Sequence, residues 1–121
     1  MTDDPLSSLK RRMTMDKSLP YPGWNNIIIT CNRKLEMLDP DYRVIQIKEK
    51  FGTLRYYFDT DIKTHSIREA MDRYVRQAEI ESSKTCEFCG KPGKLIKCKM
   101  AWMKTRCNDC APSDAVILES L

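Results

Sequence analysis

Four of the six cysteines stand in two C-x2-C pairs, Cys86-Glu87-Phe88-Cys89 and Cys107-Asn108-Asp109-Cys110, with seventeen residues between them. Two thiolates at this spacing can turn toward one ion, and Zn²⁺ takes four sulfurs tetrahedrally. The pattern therefore predicts one structural zinc ion held by Cys86, Cys89, Cys107 and Cys110, with Gly90 suiting the tight turn after the first pair. A redox dithiol pair and an iron–sulfur cluster also use paired cysteines, but the separation of the pairs matches a four-cysteine zinc ribbon. Four sulfurs would close the coordination sphere, whereas a catalytic zinc keeps one position open. This argues against an enzyme.

The charge of the chain concentrates on the same module. Residues 84–110 carry Lys84, Lys91, Lys94, Lys97, Lys99, Lys104 and Arg106 against Glu87 and Asp109, while the rest of the chain is nearly balanced around a net charge of +4. Six of these basic residues fall within sixteen positions and have Trp102 among them. A cluster of cations with an aromatic residue predicts salt-sensitive contact with nucleic acid through Lys91, Lys94, Lys97, Lys99, Trp102, Lys104 and Arg106. Trp102, Met100 and Met103 equally suit a protein interface, where aromatic and Met side chains are enriched.

The remaining reactive side chains read more simply. Cys31 falls on an apolar helical stripe and is expected to fill core space, and Cys98, between lysines, is not needed for coordination. His65 is the single histidine and has no Ser, Cys or Asp partner at a recognisable spacing, so it is expected on the surface near a helix start. Lys48, Lys50 and Arg55 mix with Tyr56, Tyr57 and Phe58, a composition that can stack single-stranded bases. Strand alternation nevertheless turns part of such a run inward, so the aromatics are expected in the core with the lysines solvated.

Four segments must position these groups. Residues 1–20 read as a polar arm with one or two helical turns around Leu6–Arg12, ended by Pro20-Tyr21-Pro22-Gly23. Residues 21–83 read as a core. A helix over 24–38 puts Trp24, Ile27, Ile28, Cys31, Leu35 and Leu38 on one stripe, and Asp39-Pro40-Asp41 stops it. Two β-favouring runs around Gly52 predict an antiparallel hairpin over 42–59, and the Ile67, Met71, Tyr74, Ala78 periodicity predicts a helix over 62–82. A lone hairpin is marginal, so both helices should pack on it. Residues 84–111 form the ribbon, two short strands with a bend near Lys99–Ala101. The tail 112–121 is acidic and apolar, fit either to dock elsewhere or to fold back. The expected class is α+β: a helix–β-hairpin–helix core with an appended C-terminal four-cysteine zinc ribbon.

Three stretches carry a resemblance: Gln46-Ile47-Lys48-Glu49-Lys50-Phe51-Gly52-Thr53-Leu54-Arg55-Tyr56-Tyr57, then Thr85 to Gly93, then Trp102 to Cys107. Together they resemble a set of small bacterial and phage proteins in which a "QVKEKFGTLRYY"-type hairpin precedes a four-cysteine zinc ribbon. The resemblance spans about residues 23–111, and its cysteine arrangement is its most specific part. It implies an intracellular zinc protein and carries no mechanism.

Composition bounds the remaining choices. At 121 residues, with 41% hydrophobic and 31% charged residues, the chain has the balance of a soluble globular domain. A chain this short gains from a metal cross-link. No run of eighteen apolar residues exists, which excludes a transmembrane helix, and the charged N-terminal segment lacks the apolar stretch of a signal peptide. The expectation is a cytoplasmic, non-catalytic zinc-ribbon binding protein with no membrane partner and no small-molecule substrate. It contacts nucleic acid through the basic ribbon face; the alternative is a phage-type module that docks on a host defence or transcription complex.

Overall fold

The computed structural model describes residues 4–14, 17–98, 102–112 and 115–117 of the chain. It is a mixed α+β fold: helix α1 (Pro5–Arg12), helix α2 (Asn25–Leu38), strands β1 (Arg43–Lys50) and β2 (Thr53–Asp59), helix α3 (His65–Ser82), then strands β3 (Lys94–Lys97), β4 (Met103–Arg106) and β5 (Val116–Ile117). Two antiparallel sheets result, β1-β2 and β4-β3-β5. No helix among the described residues is long and apolar enough to cross a membrane.

The stripe expected of α2 is buried as read, with Ile27, Ile28, Cys31 and Leu35 in the core, but the helix begins one residue after Trp24. Pro22 opens a 3-10 turn over Pro22–Trp24 that swings the indole inward, where its Nε1–H donates to the Thr85 carbonyl at 3.0 Å. Helix α3 begins at His65 rather than near Ile62. The Thr60 hydroxyl donates to buried Asp39 and accepts the Ile62 N–H, which ties the chain ahead of α3 to the end of α2.

The hairpin pairs Ile47 with Tyr56 and Glu49 with Leu54, with a bulge between Val44 and Gln46. Val44, Ile47, Leu54 and Tyr56 are buried against the helices, so Tyr56 faces the core as expected while Tyr57 turns outward. Tyr42, Tyr56 and Asn32 join their polar tips beneath it, which satisfies three buried polar groups at once.

The helical turns expected around Leu6–Arg12 are present, but they pack on the core instead of forming a polar arm. Asp4 caps α1, Pro5 occupies its first turn, and Lys10, Arg11 and Arg12 oppose the negative helix end. Leu9 and Met13 are 0% and 3% exposed and belong to the main core. Arg12 donates to the Pro40 carbonyl at 2.6 Å and pairs with Glu36 at 2.9 Å. The apolar spacing Leu6, Leu9, Met13 spans only two turns, and the three adjacent cations mask it in the sequence. The tail also folds back: Val116 and Ile117 pair with Lys97 and Ile96 on β3.

Candidate metal centre

Two short knuckles bring the four cysteines together. The residue after each C-x2-C pair donates its N–H back to the carbonyl of the first cysteine, Gly90 to Cys86 at 2.9 Å and Ala111 to Cys107 at 3.0 Å. Gly90 does so with φ +82°, a left-handed conformation that glycine adopts without strain. A bridge between Thr85 and Pro92, with Cys86 N–H donating to the Lys91 carbonyl at 2.7 Å, closes the first knuckle at its base.

The Sγ atoms of Cys86, Cys89, Cys107 and Cys110 all lie within 4.8 Å of one another, and Cys89 and Cys107 are 3.6 Å apart. A tetrahedral ion with metal–sulfur bonds of about 2.3 Å separates its sulfurs by about 3.8 Å, so the donor set fits one ion. Electrostatics point the same way. Burial opposes the Cys86 thiolate, yet backbone N–H groups of Cys107, Cys89 and Phe88 outweigh it and bring this thiol down to about 6. The neighbouring Cys107 thiol, with burial, pushes Cys110 up to about 12. At Cys89 the Lys91 N–H favours the thiolate, but burial and the Cys107 and Cys86 sulfurs override it and raise the thiol. The Cys86 thiolate therefore forms readily while Cys89 and Cys110 resist, a balance that a bound cation would reverse by supplying positive charge at the centre.

Each knuckle is anchored outside the sulfur cluster. Glu87, inside the first pair, is fully buried, and its carboxylate accepts the Thr105 N–H at 3.0 Å while its own N–H donates to the Thr105 carbonyl at 2.9 Å. It therefore covers the edge of β4 as a further strand would. Burial raises the Glu87 carboxyl, and Lys104 and Arg106, each 3.9 Å away, partly offset this. The module also locks onto the core. Gly23 N–H donates to the Glu87 carbonyl at 2.8 Å, and the Thr105 hydroxyl donates to the Gly52 carbonyl at 2.7 Å.

These contacts divide the basic residues expected to form one face. Lys104 is drawn inward: its side chain is 12% exposed, its Nζ donates to the Tyr21 hydroxyl at 2.6 Å, and Glu49 and Glu87 lie within 4 Å. Arg106 donates to the Cys110 carbonyl at 3.2 Å and lies over the Phe88 ring. Lys91, Lys94 and Lys97 are exposed, as is Trp102 at 59%, while Lys99 lies outside the described residues. Lys94 and Lys97 are three residues apart on β3, so alternation directs them to opposite faces of the sheet. The sequence cluster is thus not a single continuous basic surface.

One contributor escaped the sequence reading. Glu87 was hidden because an acid inside a C-x2-C loop is ordinarily solvated; its pairing with Lys104 and Arg106 across β4 is tertiary. Cys31 is buried in the core, its thiol pushed up to about 12 chiefly by burial, and His65 is exposed at the start of α3, beside Glu69. Comparison with protein-family models, with curated proteins and with solved structures finds no match.

Proposed function

We propose that this protein is a cytoplasmic, non-catalytic binding module whose four cysteines hold one structural zinc ion and whose exposed cations contact nucleic acid. The observation that carries the reading is the closed four-sulfur cluster bonded to the core on two sides, with Lys91, Lys94, Lys97 and Trp102 left on its outside. Such a site stabilises and presents a surface and offers no open ligand position for chemistry. Zinc fits an all-thiolate tetrahedral set, and it needs no redox partner. Lys104 serves this function indirectly by fixing β4 to the core, and Arg106 by linking the two knuckles through Glu87 and the Cys110 carbonyl. The likeness of the hairpin and cysteine segments to small bacterial and phage proteins is part of the same proposal.

The test is elemental analysis followed by a salt titration of the metal-loaded protein against labelled DNA and RNA. One zinc per chain is expected, with binding that weakens steeply as salt rises. Lys91→Glu and Lys97→Glu are expected to weaken it further. A zinc-loaded protein that binds no nucleic acid at low salt would refute the reading.

One observation favours a second reading. Phe88 on the first knuckle is 58% exposed and Trp102 is 59% exposed, and exposed aromatics of this size suit a protein contact, here with a host complex of the defence or transcription machinery. In that case a purified partner would bind with little dependence on salt and would be lost on Phe88→Ser.

A further inference from the structure

The hairpin turn meets the four-cysteine module at one point. A Cβ on Gly52 would lie 2.7 Å from Leu95 Cδ1 and 3.0 Å from the backbone of Met103 and of Lys104, so the turn abuts the start of β4. Phe51 precedes that glycine and Trp102 precedes Met103, so both aromatics are chain neighbours of the junction residues. Both are exposed, Phe51 at 64% and Trp102 at 59%.

Phe51 is out of place by every local criterion. Its φ is +55°, in the left-handed region that bulky residues avoid and that Asn or Gly fills in turns of this kind. It gains no burial in return. Local strain combined with an exposed ring is what a side chain retained for contact looks like.

The charges around the junction select the contact. Lys50 Nζ lies 5.6 Å from the Phe51 ring, and exposed Lys97 is paired with Met103 on the ribbon. Across the hairpin, Lys48 lies over Tyr57, which is 43% exposed. Of the acids at the junction, Glu49 is engaged by the Gly52 N–H at 2.8 Å and by Lys104 at 3.8 Å, and Glu87 is buried on β4. Aromatic rings interleaved with lysines suit unpaired bases on a phosphate backbone, since any base offers a face for stacking. Protein interfaces, by contrast, are depleted of lysine.

We infer that the junction of hairpin turn and four-cysteine module is a binding surface for single-stranded nucleic acid, with Phe51 and Trp102 as stacking platforms and Lys50 and Lys97 as phosphate contacts. This rests on the nucleic-acid reading above and moves its working surface from the ribbon alone to the place where ribbon and hairpin meet.

The experiment measures affinity of the metal-loaded protein for labelled oligothymidylate, oligouridylate and a duplex of equal length. Phe51→Gly is the informative variant because glycine accepts the +55° backbone: the unfolding midpoint should stay or rise while single-strand affinity falls roughly 5- to 150-fold. Trp102→Ala should give a loss in the same range. Lys50→Gln and Lys97→Gln should each lower the slope of log affinity against log salt by about 0.7. Wild-type protein that binds single strands while Phe51→Gly and Trp102→Ala bind equally well overturns this surface and leaves the nucleic-acid reading standing. Preference for the duplex overturns the single-strand assignment. Absence of any binding by the wild type removes both, and a protein partner lost on Phe51→Gly would then own the surface.

Discussion

Gly23→Ala isolates the coupling between core and four-cysteine module. A Cβ at this position would meet Cys86 O at 2.2 Å and the Glu87 carbonyl carbon and oxygen at 2.5 Å, all backbone atoms that cannot rotate aside. Gly23 has an ordinary negative φ, so the cost is steric rather than conformational. Forced overpacking of this kind costs about 1–3 kcal/mol. Relief by moving the knuckle stretches the bond from Gly23 N–H to the Glu87 carbonyl, now 2.8 Å, and loses about 1 kcal/mol more. A total of about 2–4 kcal/mol is expected. For a chain of this length that lowers the thermal midpoint by roughly 8–16 °C. The assay is calorimetric unfolding of metal-loaded protein, with the rate of metal transfer to a chromogenic chelator read on the same sample. The variant should unfold earlier and release metal faster, because the shifted residues flank Cys86. A midpoint within about 2 °C of wild type, with unchanged release, would show that the knuckle does not seat on the core through Gly23.

Two further outcomes follow from the fold. Leu9→Ala should cost about 2–5 kcal/mol in chemical denaturation, because Leu9 is fully buried in the main core; a loss below about 0.5 kcal/mol would return residues 5–13 to the status of a loose arm. The Asp59 and Asp61 carboxyls are held below their ordinary range by hydrogen bonds from the Arg43 guanidinium. The depressed folded-state values mean that this contribution is present above the unfolded carboxylate range and lost as pH falls through the folded-state values. Arg43→Gln should return both carboxyls upward in an NMR titration, and values unchanged by the substitution would refute the assignment.

Some of this protein was legible without coordinates because it is encoded in local spacing. The C-x2-C pairs bring their own sulfurs together by the geometry of a tight turn, so the four-cysteine cluster could be named from the sequence. The stripe from Trp24 to Leu38 and the glycine, Gly52, between two β-favouring runs are likewise short-range signals, and they located α2 and the hairpin. The tertiary structure decided everything that depends on which segments meet. Lys104 looks like any other ribbon cation until Tyr21, Glu49 and Glu87 converge on it from three distant stretches of chain. Leu9 and Met13 look like isolated apolar residues in a charged arm until β1 gives them a surface to cover. Glu87 changes from a solvated acid to the clamp on β4 for the same reason. Burial and charge pairing are properties of neighbours, and apart from those a few residues away along the chain, neighbours are assigned only by the fold.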